Sequence, residues 1–254
     1  KIINKTSESM GDLSDETVQL VVTSPPYWGL RDYGVKNQIG FDDSYQEYLD
    51  RLDLVWNECF RVLKESGTLW INIGKRVINN NMVLFANDIV ESASRIGFTL
   101  KDIVIWHKPV FVPTSGKNNL TDRYEHILFF SKNKKKYYFD SKVLNNIGDY
   151  LDLSNTNPSK NIWRIHRRIG NIGKKIQIIK KGNEIQHTAV YPDELVRRVI
   201  ESCSQPNDLI LDPFAGSGTT LSTANKLNRK WIGYELNKDY NQLIKWRLNS
   251  DTFN

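Results

Sequence analysis

Ser24-Pro25-Pro26-Tyr27 places a hydroxyl, two residues that cannot continue a strand and an aromatic ring directly after the β-branched run Val21-Val22-Thr23. Proline has no N–H and holds the residue before it out of the helical region, so the strand must stop and the turn is stiff. A turn of this make-up could hold a flat polar ring. Tyr27 would be the stacking face, and the Ser24 hydroxyl and Pro25 carbonyl would accept hydrogen bonds from an amino group. By itself the tetrapeptide reads as an ordinary strand-to-loop turn; a second constellation, about 190 residues downstream, changes that.

There the apolar stretch Leu209-Ile210-Leu211 runs into Asp212-Pro213-Phe214-Ala215-Gly216-Ser217-Gly218-Thr219 and then a helical pattern. Gly216 and Gly218 let the backbone bend sharply and come close to a ligand. Glu235 lies 17 positions after Gly218, at the end of the next apolar stretch, where dinucleotide folds carry the acid that holds an adenosine ribose. The third glycine of the dinucleotide pattern is absent and no lysine follows, so a nucleoside-triphosphate loop does not fit. Asp212 would repel phosphate. It suits a cofactor with positive charge and an amino group, and S-adenosylmethionine has both.

The pair Thr23–Trp28 and Asp212–Thr219 resembles the two signature motifs of the amino-directed DNA methyltransferases. Their order, catalytic turn first and cofactor turn last, is similar to the permuted β class of that family. Arg61-Val-Leu-Lys-Glu-Ser-Gly-Thr-Leu-Trp-Ile-Asn-Ile-Gly74, Ile105-Trp-His-Lys-Pro109 and Trp231-Ile-Gly-Tyr-Glu-Leu-Asn237 also sit where the family has them. The resemblance covers about residues 2–248.

The resemblance implies an α/β fold: a Rossmann-like, seven-stranded methyltransferase sheet, circularly permuted, with a basic target-recognition insert. It implies S-adenosylmethionine as cofactor and double-stranded DNA as partner, with the target base flipped out to reach the cofactor. Ser24, Pro25, Pro26 and Tyr27 would then be catalytic. Asp212, Phe214, Ala215, Gly216, Ser217, Gly218 and Thr219 would hold the methionine part, and Glu235, with Leu236 and Asn237, the ribose. His187 and Tyr191 fall in a motif that approaches the methionine end. In the family, serine at the first motif position accompanies cytosine-N4 enzymes and aspartate adenine-N6 enzymes, so cytosine N4 is expected, with adenine N6 as the alternative. A restriction-modification setting implies a cognate restriction endonuclease, a prokaryotic cytoplasm, and a monomer or homodimer. Two departures stand out. Ile3-Asn4-Lys5-Thr6 replaces a frequent Gly-Asp near the first strand, which leaves the contacts to the cofactor adenine unassigned. Lys75 stands where an aspartate is frequent.

Helical and strand patterns alternate around these turns, which argues for a mostly parallel sheet covered on both faces. Short strands are expected at 2–4, 18–23, 68–73, 103–106, 127–130, 209–212 and 230–235. Helices are expected at 6–13, 44–62 (running toward Gly67), 82–96, 191–203, 221–227 and 240–248. The acids after Pro192 and the glycine at 97 mark helix ends. The chain divides as a catalytic half, 1–130, a basic insert, 131–186, and a cofactor half, 187–254.

Between residues 132 and 184 stand ten lysines and three arginines against three aspartates and one glutamate, a net +9 where the whole chain carries +6. The positive charge is therefore concentrated. Lys134, Lys135, Lys136, Lys174 and Lys175 supply point charges for phosphate, and Arg164, Arg167 and Arg168 stand beside Trp163 and His166, a mixture suited to phosphate contact and base stacking. Arg31, in the Gly-bounded loop after the double proline, joins this set. Cys59 and Cys203 read as core residues rather than as the nucleophile a carbon-directed base methylation needs. The four histidines show no metal-ligand spacing, so no metal is expected. No stretch of about 18 apolar residues and no signal-peptide pattern occurs, and a reduced cytosolic setting is expected. The first residue is Lys1, so a few residues are expected to precede it. Methylation of RNA or of a protein amide, and a DNA-binding module without catalysis, remain as competing functions.

Overall fold

Val18–Thr23 (β2) is buried at all six positions, as an apolar, β-branched run must be when helices cover both faces of its sheet. The computed structural model describes residues 1–78, 80–109, 123–144, 161–166, 176–180, 183–187 and 191–250. Among them the chain passes through Ile2–Ile3 (β1), β2, Tyr45–Val62 (α1), Leu63–Ile73 (β3), a small hairpin of Arg76–Ile78 (β4) and Asn81–Val83 (β5), and Phe85–Ile96 (α2). Thr99–His107 (β6), Tyr124–Ser131 (β7) and Ile162–Arg164 (β8) follow, then a second hairpin of Ile176–Lys180 (β9) and Asn183–His187 (β10). Asp193–Cys203 (α3), Leu209–Asp212 (β11), Thr219–Lys226 (α4), Lys230–Tyr234 (β12) and Tyr240–Ser250 (α5) complete it.

The main sheet has the order β1-β12-β11-β2-β3-β7-β6-β8. From β1 to β3 all neighbours are parallel, and β7 is antiparallel to both β3 and β6. The expected seven strands are present. The basic region adds an eighth, β8, parallel to β6 at the edge. The late strands β11 and β12 lie between β1 and β2, which is the permutation made visible.

Side chains alternate across the sheet. Val21, Leu69 and Ile71 join the apolar cluster under α1 and α2, while Leu20, Val22 and Trp70 join the one under α3. A capping box of Ser44 and Glu47 starts α1, satisfying N–H groups that lack helical partners. Five of the residues the periodicity assigns to its inner face, Tyr48, Leu52, Val55, Trp56 and Cys59, are buried. The second cluster reaches into the basic region: Trp163, Ile165, Leu144, Tyr137 and Phe139 pack there, with Trp70 stacked 4.2 Å from Phe129 and 6.1 Å from Trp163. The region expected as an insert is thus partly built into the core.

Three sequence expectations need correction. Residues 6–13 form turns rather than a helix, because Met10, Leu13 and Ser7 are drawn inward while Arg61 and Glu58 take up the backbone groups of Met10 and Leu13. The α1 helix ends at Val62, and the chain turns straight into β3 at Leu63 without using Gly67 as a cap. Met82 belongs to the β4–β5 hairpin, so α2 starts three residues later. No helix among the described residues is long and apolar enough to cross a membrane.

Gly233 in β12 faces α4 and the cofactor turn. A Cβ there would lie 2.7 Å from Leu221 Cδ1 and 2.9 Å from Ala215 Cβ. Gly233→Ala is expected to destabilise the protein by about 1–3 kcal/mol through overpacking, read as a lower melting temperature. An unchanged melting temperature would mean that this layer is not close-packed.

Candidate active site

The β2 and β11 strands are adjacent and parallel, in the register Leu20↔Ile210 and Val21↔Leu211. The Ser24–Tyr27 turn and the Asp212–Thr219 turn therefore leave the sheet at the same edge, side by side. Asp212 ties them together. Its Oδ1 accepts from Thr23 Oγ1 at 2.7 Å and from the Phe214 N–H at 3.0 Å, and its Oδ2 accepts from the Tyr191 hydroxyl at 3.1 Å. Tyr191 also meets Thr220 Oγ1, on the first turn of α4. Burial raises the Asp212 carboxyl, and the bonds from Thr23, Thr220, Phe214 and Tyr191 oppose that rise.

Between the turns lies a cavity of about 400 Å³, within the size range of small-molecule sites. Ser24, Pro25, Pro26 and Tyr27 form one wall. Phe214, Ala215, Gly216, Ser217, Thr219 and Tyr191 form another, with Glu235 and Leu236 beside them. Most of the sequence-assigned residues are thus brought together. Asp212, Gly218 and Asn237 are not on the wall. Asp212 is 1% exposed and its oxygens are occupied as described, so it stands one layer behind the surface. Gly218 caps α4 in the left-handed region, at φ 81°, against Ile244. Asn237 turns away, its Nδ2 donating to the Tyr33 carbonyl at 2.9 Å.

Glu235 is held by the turn it faces. Its Oε2 accepts from the Gly216 N–H at 2.8 Å and its Oε1 from the Asn237 N–H at 2.7 Å. Gly216 adopts φ 51°, a conformation glycine takes without strain. From behind, Arg247 on α5 donates to Thr219 Oγ1 at 2.9 Å, Ser217 Oγ at 3.3 Å and Asp193 at 2.6 Å, so the last helix braces the turn.

The catalytic turn is braced as well. The Tyr48 hydroxyl donates to the Pro26 carbonyl at 2.9 Å, and Arg76 donates to that of Trp28. The Tyr27 hydroxyl accepts from the Gly74 N–H at 2.8 Å and donates to Glu125 Oε2 at 3.1 Å. Burial, followed by the Glu125 charge, lifts the Tyr27 phenol well above its usual range. Asn72, Glu125 and the loop residues Leu30, Tyr33 and Gln38 also line the cavity, as do Lys5, Thr6 and Ser7. The sequence reading assigned none of these a role. A carboxylate two residues before the apolar run Ile127–Phe130 is the one available signal for Glu125.

The basic residues divide. Arg31 lines the cavity, and Arg164 is exposed on β8 in register with His107, at the same sheet edge. Lys134, Lys135 and Lys136 are exposed just past Ser131, which pairs with Thr68 rather than with the Ile73 end of β3. They lie at the sheet edge remote from the cavity. His187 is the last residue of β10. Arg167, Arg168, Lys174 and Lys175 lie outside the described residues. Cys59 and Cys203 are fully buried, and burial pushes both thiols up, Cys203 to about 11; neither is placed as a nucleophile.

A family model described as DNA methylase, covering N6- and N4-directed enzymes, matches residues 18–245. The chain belongs to this family. Relatives include the Type II methyltransferase M.SmaI of Serratia marcescens, 31% identical over 277 residues, covering 97% of this chain and 89% of the relative. The Type II methyltransferase M.Cfr9I of Citrobacter freundii is 30% identical over 271 residues, covering 95% and 85%. Among solved structures, the DNA modification methylase TTHA0409 of Thermus thermophilus, complexed with S-adenosyl-L-methionine, matches at TM-score 0.70 and 27% identity, covering 99% of this chain and 95% of that one. The cytosine-N4-specific PvuII DNA methyltransferase shares the fold at TM-score 0.76 and 21% identity, covering 99% and 89%. The methylase is thus of the restriction-modification type, an amino-directed DNA methyltransferase.

Burial pushes the Glu235 carboxyl up from 4.5 to about 7, its backbone hydrogen bonds acting in the opposite direction. A folded-state value above the unfolded one means that this group favours the fold at low pH and loses that contribution as pH rises from about 4.5 to about 7. Glu235→Gln in the cofactor-free methylase is therefore expected to raise the melting temperature more at about pH 8 than at about pH 5. An equal change at both values would contradict the raised carboxyl.

Proposed function

We propose that this methylase transfers the methyl group of S-adenosylmethionine to the N4 amino group of a cytosine flipped out of duplex DNA. The observation that carries the proposal is the sharing of one cavity by the two turns, with Ser24 and Tyr27 across from Gly216 and Glu235.

The residues present fit the cofactor. Gly216 offers backbone without a side chain, Glu235 offers an acceptor-only carboxylate for two ribose hydroxyls, and Phe214 and Tyr191 offer apolar and aromatic surface. Asp212 contributes negative charge from one layer behind. When bound, the sulfonium supplies an activated methyl group.

The protein's part is placement. Tyr27 is a neutral phenol across the working pH range and stacks on the flipped ring. Ser24 Oγ and the Pro25 carbonyl accept hydrogen bonds from the exocyclic amino group, turning its lone pair out of conjugation with the ring. The nitrogen becomes acidic only once alkylated, so little general-base help is needed before attack, and orientation carries much of the rate. The stiffness of the double proline serves that orientation. Serine at this position supports cytosine N4 over adenine N6 through the family correlation. Arg31, on the cavity wall, and Arg164, exposed on β8 at the same end of the sheet, suit contact with DNA phosphates, and the Type II relatives support a cognate endonuclease as companion.

Methylation of unmodified genomic DNA with labelled cofactor, followed by nucleoside analysis, is expected to yield N4-methylcytosine. N6-methyladenine would overturn the base assignment and leave the transfer site standing. Ser24→Ala is expected to keep cofactor affinity within about twofold and to lower turnover by about a hundredfold. Equal loss of affinity and turnover would contradict the role of the hydroxyl.

A further inference from the structure

Behind the target side of the cavity lies an ion pair with no role in the transfer described above. Lys108 is 1% exposed, and its Nζ sits 2.8 Å from Glu125 Oε1. The other Glu125 oxygen accepts from the Tyr27 hydroxyl at 3.1 Å and from Asn72 Nδ2 at 2.7 Å. Three strand ends supply these groups: Asn72 from β3, Glu125 from β7, and Lys108 directly after β6. Antiparallel register brings them together, with Asn72↔Ile127 and Ile73↔His126 on one side of β7 and Trp106↔Glu125 on the other.

Stability alone does not account for the pair. Removing an ammonium and a carboxylate from water costs several kcal/mol per ion, and an apolar pair of similar volume commonly serves a fold as well or better. What the pair provides is direction. An ionised carboxylate only accepts hydrogen bonds, so Glu125 dictates where the Tyr27 hydroxyl points and which end of the Asn72 amide faces it. With the Gly74 N–H donating to the same Tyr27 oxygen at 2.8 Å, the ring is pinned at its outer rim, opposite the proline turn that holds its backbone. Gly74 also lies so close that a Cβ would meet the Tyr27 ring at 3.0 Å, so the ring packs directly against backbone there.

We propose that Glu125, held in place by Lys108, is a positioning residue for the target base: it fixes the Tyr27 ring and with it the width of the slot in which the flipped base stacks. The proposal rests on the stacking role assigned to Tyr27 above. Glu125 acts through Tyr27 and takes no part in bond making.

The test uses the full-length protein with Glu125→Gln, and with Glu125→Gln/Lys108→Met, which removes both charges so that no ammonium is left buried alone. Four quantities are measured: kcat, cofactor Kd, melting temperature, and the fluorescence of a duplex carrying 2-aminopurine at the target position. Expected are a fall in kcat of about tenfold or more, cofactor Kd within about twofold of wild type, and altered 2-aminopurine emission in the bound duplex. Adding Tyr27→Phe should cost little beyond Tyr27→Phe alone, since two residues acting through one contact are not additive. Wild-type kcat and emission in the charge-free double variant would overturn the proposal. Losses that multiply with Tyr27→Phe, or that track cofactor Kd, would do so too. If the wild-type protein binds this duplex without changing its emission, the stacking role of Tyr27 fails and the proposal falls with it.

Discussion

One buried carboxylate joins the two halves of this protein. Asp212 ends a strand from the last fifth of the sequence and accepts a hydrogen bond from Thr23, which ends a strand near its start. Because it is buried, its desolvation must be offset by donors, and the donors come from Thr23, Phe214 and Tyr191. Each donor fixes one part of the site: the entry to the proline turn, the start of the glycine turn, and the segment ahead of α3. A site assembled from residues remote in sequence needs such a tie, since a small misplacement of reacting groups is costly in rate.

The same economy recurs around the cavity. Few of the side chains that brace it touch its interior: Arg247 grips Ser217 and Thr219 from behind, Tyr48 grips Pro26, and Lys108 grips Glu125. The two turns that face each other across the cavity are short and stiffened by proline or bent at glycine. That division suits a reaction in which the cofactor brings the reactive group and the protein supplies orientation. It also explains why a fold of parallel strands is used: the β1–β3 strands all deliver their carboxyl ends to one edge, and the antiparallel β7 delivers its amino end, with Glu125, to that edge as well.

The two turns and Glu235 are legible in the sequence because each rests on local chemistry: proline stops a strand, glycine admits left-handed backbone, and an acid after an apolar run marks a strand end; the permuted strand order follows only from the family resemblance. Four features are not legible, for a common reason. Asp212 was read as facing the ligand because a lone acid before a glycine turn carries no sign of which way it points; its partners, Thr23 and Tyr191, lie 189 and 21 positions away. Glu125 and Lys108 lie outside the expected strands 127–130 and 103–106, and only antiparallel register brings them together. Lys134, Lys135 and Lys136 were grouped with the arginines by charge alone, whereas the direction of β7 carries them to the far edge. The turns at residues 6–13 carry helix-like apolar spacing, which cannot distinguish a helix face from side chains gathered inward by long-range hydrogen bonds.

The most direct measurement is a crystal structure of the methylase with a non-reactive cofactor analogue and duplex DNA containing its target. The expected result is a single base turned out of the duplex against Tyr27. Its amino nitrogen would lie between Ser24 Oγ and the analogue's sulfur, and the ribose hydroxyls would lie on Glu235. A cofactor analogue bound between the turns but with the extruded base seated elsewhere, or a base in the slot with the analogue away from Gly216 and Glu235, would contradict the claim that the two turns form one transfer site.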